Sequence, residues 1–299
     1  MADRLIMQEP PQLAAPYILV GLSGWLNAGG LSVGSIDYLR QKLEACKFAS
    51  IQTRGFYIYQ IPSSNPERTM RPHAQIREGL VKNIDVQQND FFFWKSGSDH
   101  DLILFRGVEP NLDWQDYCKL ILEVARQFQT PRIYFLGGIF DQVPHTRKTR
   151  IHATVSHPRL KEEFKTFARF GDYDGPSSFT TMLLHLGREQ GMEVASISAR
   201  TPLYIQDFNS KACYDLLKRV LNVMGLQIDL SDLRLAGENL VEMVDRSFSE
   251  NSQALEQLKN LEELFDATLG EEPLPGPDED YDNLLEEMRK LKREGRKPH

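Results

Sequence analysis

The chain has 299 residues, of which 41% are hydrophobic and 26% charged, with a formal net charge of −7. That is the composition of an ordinary globular protein large enough for a substantial core, and its acidic balance argues against nucleic acid as the main partner. No apolar run approaches the roughly 20 residues of a membrane span, and the amino terminus has no signal-peptide core, so a cytoplasmic protein with no membrane partner is expected. Cys46, Cys118 and Cys213 are odd in number and widely spaced, which points to neither disulfides nor zinc; they are expected as buried small apolar residues.

In chain order, Tyr17 to Leu22 reads as a buried strand and Leu31 to Leu43 as a helix with Leu31, Ile36, Leu39 and Leu43 on one side. Between them, Ser23 to Gly30 forms a glycine-rich turn. Gly24 to Gly29 has the outer spacing of a phosphate loop but lacks its Lys-Ser, so a plain strand-to-helix turn is the favoured reading. Alternation through Phe48, Ile51, Phe56, Ile58 and Ile61 predicts a strand, followed by a loop to Pro72. Asp90 to Trp94 and Asp101 to Phe105 read as strands joined by a hairpin-like turn.

A helix capped by Asn111 or Asp113 then carries Tyr117, Leu120, Ile121, Val124 and Phe128. The stretch from Arg132 to Leu136 is a strand expected to turn sharply at Gly137 and Gly138 into a loop bearing Asp141, His145, Thr146, Arg147 and Lys148. Ile151 to Ser156 reads as another strand. Gly171 to Ser178 is a loop into a helix, with Pro176 at its first position and Phe179, Met182, Leu183 and Leu186 on its apolar side. Glu193 to Ala199 returns as a strand and Lys211 to Met224 as an amphipathic helix.

From Leu230 to Phe265 only helices are expected. A proline-rich linker near 270–279 precedes a last helix with Tyr281, Leu284, Leu285, Met288 and Leu291 on one face and Lys290, Lys292, Arg293 and Arg296 near its end. Helices alternating with strands predict an α/β sandwich with a mixed, largely parallel sheet over residues 1–226 and a helical extension over 227–299.

With these stretches in place, the sequence resembles the proteasome assembly chaperone two (PAC-two) family from about residue 16 to the end of the last helix. Asp141-Gln-Val-Pro-His-Thr-Arg147 is similar to the family's Asp-x-Pro-His-Thr-Arg signature with one residue inserted. Gly24-Trp-Leu-Asn-Ala-Gly29, Gly107-Val-Glu-Pro110 with Trp114, Tyr173-Asp-Gly-Pro176 and the pair Arg71-Pro72 match further elements, in order. The resemblance implies a three-layer fold similar to purine nucleoside phosphorylases, in homo-oligomers, and chaperones that assemble the proteasome α-ring among its relatives. It also brings a suggestion of ATP-dependent ligases. The hydrophobic-Tyr-x ending with which some archaeal relatives bind proteasomes is not seen in Arg296-Lys-Pro-His299.

The matched motifs all fall in loops at strand ends, and they are expected to bring Trp25, Asn27, Glu109, Asp141, His145, Thr146, Arg147, Ser177 and Ser178 to one ligand or partner cleft. If the protein is an enzyme, Asp141, His145 and Glu109 are its candidate acid–base residues, acting on a nucleoside-like or phosphorylated molecule. The structural alternative has Asp141 capping backbone or pairing with Arg147, Glu109 in a salt bridge, and His145 in a structural or subunit contact. Ser178, His145 and Asp141 form a triad on paper only, since no Gly-x-Ser-x-Gly elbow surrounds the serine. His145, His152 and His157 fit no zinc spacing, and neither metal nor cofactor is expected. A non-catalytic, partner-binding, homo-oligomeric protein is the expected function, with the helical tail as one contact surface.

Overall fold

The computed structural model describes residues 4–60 and 71–267. Eight strands form one mixed sheet: β1 (Leu5–Met7), β2 (Tyr17–Ser23), β3 (Cys46–Ile51), β6 (Asp90–Trp94), β7 (Leu102–Val108), β8 (Arg132–Asp141), β9 (Ile151–Val155) and β10 (Glu193–Pro202), in the order β1-β3-β6-β7-β2-β8-β10-β9. Strands β4 (His73–Arg77) and β5 (Leu80–Asp85) make a separate ribbon. The sheet is less parallel than its βα rhythm suggests. Only the neighbouring pairs β7–β2, β2–β8 and β8–β10 run parallel, while β1–β3, β3–β6, β6–β7 and β10–β9 are antiparallel.

Period-two alternation in the central strands feeds two cores. Leu19, Leu102, Leu104, Tyr134, Leu136, Ala195 and Ile197 face helices α1 (Leu31–Lys42), α3 (Pro158–Phe164) and α5 (Ser210–Val223). Ile18, Val20, Ile103, Phe105, Ile133, Phe135 and Val194 face α2 (Trp114–Gln127) and α4 (Phe179–Glu189). The result is three layers, helices over both faces of a sheet whose middle strands are apolar on both sides. Helices α6 (Ser231–Ser249) and α7 (Ser252–Ala267) follow, and Leu230 and Leu233 carry the start of α6 into the α1/α5 core. Among the described residues no helix is long and apolar enough to cross a membrane. The expected linker near 270–279 and the last helix lie outside the described residues.

Several expectations are corrected. The strand expected to reach Ile61 stops at Ile51; Phe56 and Tyr57 stay buried because a turn around Gly55 (φ +86°) tucks them beside Tyr117, which mimics strand alternation. Strand β8 does not turn at Gly137 and Gly138 but runs on to Asp141, paired with β10 throughout. Its glycines serve proximity: the Gly138 N–H donates to Leu26 O at 2.8 Å, and a Cβ on Gly138 would lie 2.2 Å from Ala28 O.

Helix α4 begins at Phe179 rather than at Pro176, because Ser178 takes the capping position and accepts from the Thr181 N–H. Asp113 stands at the start of α2 without a side-chain capping bond; its carboxylate pairs with Arg4 at 3.3 Å. Cys118 and Cys213 are buried as expected, but Cys46 is exposed, since it opens β3 directly after a surface turn. Strands β1, β4 and β5 and helix α3 were not anticipated. They are short, and the ribbon lacks the bulky alternation of the sheet strands.

Candidate functional site

The parallel strands β2, β7, β8 and β10 all end at the same edge of the sheet, so the loops that follow them share one end of the molecule. Two motif turns meet there directly. The Trp25 N–H donates to Glu109 Oε2 at 2.7 Å and the Glu109 N–H to Ser23 O at 2.9 Å. Glu109 lies so close over Gly24 that a Cβ there would be 2.3 Å from its carboxylate. Glu109 therefore spends its charge holding the turn, and the Trp25 ring above it is 77% exposed. Replacing Glu109 with alanine is expected to cost about 1–2 kcal/mol, the worth of a charge-assisted bond to backbone, and to loosen this turn. Faster amide exchange at Trp25 and a lower melting temperature would check it. Asn27 acts one layer further in: its Oδ1 accepts from the Val33 N–H at 3.1 Å and its backbone bridges to Gly138.

The His-Thr-Arg stretch is held differently. His145 is buried, its side chain only 1% exposed, between Tyr204 and α6. The Tyr204 hydroxyl accepts from the His145 backbone N–H at 2.9 Å and lies 2.8 Å from Nδ1, while Nε2 lies 3.1 Å from Asp245 Oδ1. A carboxylate can only accept, so a ring proton on Nε2 and a Tyr204 proton aimed at Nδ1 satisfy every contact. Burial pushes the Tyr204 phenol up to about 12, which keeps it a donor. Phe248 of α6 packs against both rings.

Thr146 Oγ1 donates to Glu262 Oε1 of α7, and Arg147 grips α7 through Asp266 Oδ1 at 2.8 Å, Asp266 Oδ2 at 2.7 Å and Glu262 Oε1 at 2.9 Å. From below, the Lys211 ammonium of α5 donates to the carbonyls of His145, at 2.8 Å, and Arg147. Tyr204, Lys211, Asp245, Phe248, Glu262 and Asp266 were missed from sequence. They are charged or aromatic positions of ordinary amphipathic helices and loops, and only their partners mark them.

Asp141 closes β8, where its Oδ1 accepts from the Gln142 N–H at 2.8 Å and its Oδ2 lies 3.7 Å from Arg200. It does not pair with Arg147. Arg200 Nε also donates to His152 Nδ1 at 3.1 Å. Burial first, then Arg200, Arg169 and Arg150 against the opposing pull of Asp141, pushes the His152 pKa down to about 4. Its folded value is thus below its ordinary value near 6.5, and the folded chain binds fewer protons than the unfolded one. The stability His152 contributes is complete above pH 6.5 and is lost as pH falls from there toward 4. Melting temperature is expected to decline across that window, and His152→Gln, whose amide oxygen can accept the same bond, should flatten the decline. An unchanged slope would assign it to another group.

Ser177 is exposed and Ser178 half-buried at the start of α4, Ser178 as its cap and Ser177 donating to Ser178 O at 3.1 Å. The Tyr173 hydroxyl folds back onto Pro176 O at 3.0 Å over Gly175. A cavity lined by His145, Arg147, Arg200, Asn209, Lys211 and Leu240 measures about 20 Å³, room for a water and far below the ~300–1,000 Å³ of a small-molecule site. His145 is held by Tyr204 and Asp245, His152 by Arg200 and His157 by Ser156. Among the described residues no three His, Cys, Asp or Glu side chains are placed to share a metal ion.

The model of the PAC2 family matches residues 21–247. No curated protein matches the chain. Among solved structures, a protein of unknown function from Corynebacterium glutamicum ATCC 13032 superposes with a TM-score of 0.78 at 22% identity, over 89% of this chain and 98% of that one. A proteasome-assembly chaperone homologue from Mycobacterium tuberculosis gives 0.71 at 22% identity, over 81% and 99%. Pyrococcus furiosus PbaB, an archaeal proteasome activator, gives 0.63 at 23% identity, over 81% and 97%. At these identities the likeness is one of fold.

Proposed function

The chain belongs to the PAC2 family, and from that premise we propose that it is a non-catalytic assembly factor, homo-oligomeric and cytoplasmic, that works by binding protein surfaces. The observation that carries the reading is the fate of the family signature. His145, Thr146 and Arg147 are spent on internal bonds to α6 and α7, with His145 sealed from solvent, so this stretch anchors the helical extension to the sheet edge. Two structural relatives bear names tied to proteasome assembly or activation, which favours protein partners.

The enzymatic alternative, chemistry on a phosphorylase-like or ATP-dependent ligase scaffold, needs a histidine free to move a proton and a chamber for substrate. Neither accompanies His145, whose ring nitrogens are both engaged and whose adjoining cavity is about 20 Å³. Partner contact is available on two exposed surfaces: the aromatic tips Trp25 and Tyr173 at the sheet edge, and Leu235, Met243 and Leu264 on α6 and α7.

Cross-linking in native cells followed by affinity purification of the tagged full chain is the test. A reproducible protein partner is expected. Recovery of the chain alone overturns the partner role, and a nucleotide- or phosphate-induced rise in melting temperature that His145→Ala abolishes would restore the enzyme.

A further inference from the structure

Trp25 and Tyr173 are the most exposed large hydrophobic side chains among the described residues, at 77% and 76%. Both are nevertheless fastened. The Glu109 carboxylate accepts the Trp25 N–H at 2.7 Å, and only the missing Cβ of Gly24 lets it come so close. The Tyr173 hydroxyl donates to Pro176 O at 3.0 Å across Gly175, where a Cβ would lie 2.8 Å from that hydroxyl. Fixing an exposed ring costs conformational freedom, and within the chain it buries little apolar area in return. The same rigidity strengthens binding to a partner, because the ring already stands in its bound posture.

The two rings belong to one end of the molecule. Trp25 follows β2 and rests on the loop after β7. In that loop Pro110 O accepts from Trp114 Nε1 at 2.7 Å, and the Trp114 ring meets Phe179, the first residue of α4, with centroids 6.0 Å apart. The Tyr173 loop leads directly into that helix end. Leu112, 44% exposed, adds an aliphatic spot on the β7 loop. Asp172 and Asp174 flank Tyr173, are exposed, and have no ion-pair partner among the described residues. No cation of the described chain lies over either ring, so the electron-rich faces of both are open.

We propose that this aromatic edge docks a short extended segment of a partner protein in which arginine or lysine stands beside apolar residues. The cations lie over the Trp25 and Tyr173 faces and pair with Asp172 and Asp174, and an apolar neighbour reaches Leu112. The inference rests on the partner-binding reading and commits it to one of its two exposed surfaces. Charge selects the occupant. A second copy meeting this end with its own would set the aspartates against their counterparts, and the phosphates of a nucleic acid would meet the same carboxylates. Size agrees. Two rings exposed to this degree offer on the order of 300 Å², the contact of a transiently held segment rather than of two globular bodies. Because the rings stand on separate loops, the occupant must be long enough to touch both, which a lone small cation is not.

Fluorescence anisotropy of a labelled eight-residue peptide of arginine, leucine and serine, titrated with the full chain, tests it. Wild type is expected to bind with a Kd on the order of 10–100 µM that weakens as salt rises, and a counterpart with glutamate in place of arginine is expected not to bind. Trp25→Ala and Tyr173→Ala should each weaken binding about 10-fold. Asp172→Asn combined with Asp174→Asn should weaken it about 5-fold and make its salt dependence shallower. These side chains are exposed, and circular dichroism verifies that the variants stay folded. Met243→Ala on α6 should leave the Kd unchanged. Equal binding of the two peptides, or aromatic variants that bind as wild type does, overturns the proposal while the partner role stands. So does a wild type that binds neither peptide; if charge reversal of Arg293 and Arg296 then admits the arginine peptide, the occupant is the chain's own basic end. Failure of the partner reading itself is seen separately, as recovery of the chain alone from cross-linked cells.

Discussion

Gly138→Ala is expected to destabilise the protein by about 3 kcal/mol and to lower its melting temperature by about 6–12 °C. The added methyl would start 2.2 Å from the carbonyl oxygen of Ala28, 2.8 Å from Leu31 Cδ1 and 3.0 Å from Leu31 Cβ. The first of these atoms is backbone and cannot swing away. Ala28 lies in the turn that Asn27 fastens to Gly138 and that leads into α1, so relief requires moving β8 or that turn as a whole. Overpacking against backbone commonly costs 1–3 kcal/mol, and the loss of the Gly138–Leu26 bond adds to it. Gly97 is the control position for alanine only in space, having no neighbour within 4 Å, since its positive φ adds a strain of its own. Urea unfolding of Gly138→Ala would measure the effect, and a change under 1 kcal/mol would mean the turn is softer than its hydrogen bonds imply.

Removing the Arg147 guanidinium has a more local consequence. In Arg147→Ala, Asp266 loses a two-pronged partner and Glu262 one of its bonds, while both carboxylates remain facing the loop. Charge-assisted bonds of this kind contribute about 1.5–3 kcal/mol each when buried, and the partial exposure of this cluster reduces the sum to about 2 kcal/mol. Hydrogen exchange in α7 should then accelerate roughly 30-fold, with β2 and β8 unaffected. Arg147→Lys keeps a charge but cannot fork to two carboxylates, so it should fall between wild type and alanine. Uniform acceleration across the sheet would show that the loop and α7 unfold with the core rather than before it.

Much of the fold is written locally. Ile18-Leu-Val20 announces a strand buried on both faces, and the spacing of Leu216, Leu217, Val220 and Leu221 announces α5. What failed depended on distant company. Gly137 and Gly138 read as a turn because the glycine code is the same for bending and for close approach, and only Leu26, Ala28 and Leu31, more than a hundred residues earlier, decide which applies. The site shows the same division. Glu109 and Trp25 were legible as residues of interest, but that one holds the other's backbone needed the parallel pairing of β2 with β7. His145 drew attention as a titratable group in a loop; its burial is imposed by Tyr204, Asp245 and Phe248, which carry no mark in the sequence.

The spacing of the Arg147 contacts also sets a timetable for synthesis. Asp266 follows Arg147 by 119 residues and Glu262 follows it by 115. At roughly 5–20 residues per second, about 6–24 seconds pass between translation of the arginine and of its last partner. During that interval the signature loop is held first by Tyr204 and Lys211, which arrive about 60 residues after it, and then by Asp245 of α6, 100 residues after His145. The nascent chain therefore presents a charged, unclosed sheet edge until α7 emerges, and closure of that edge is a late event of folding in which contacts of long sequence separation form together.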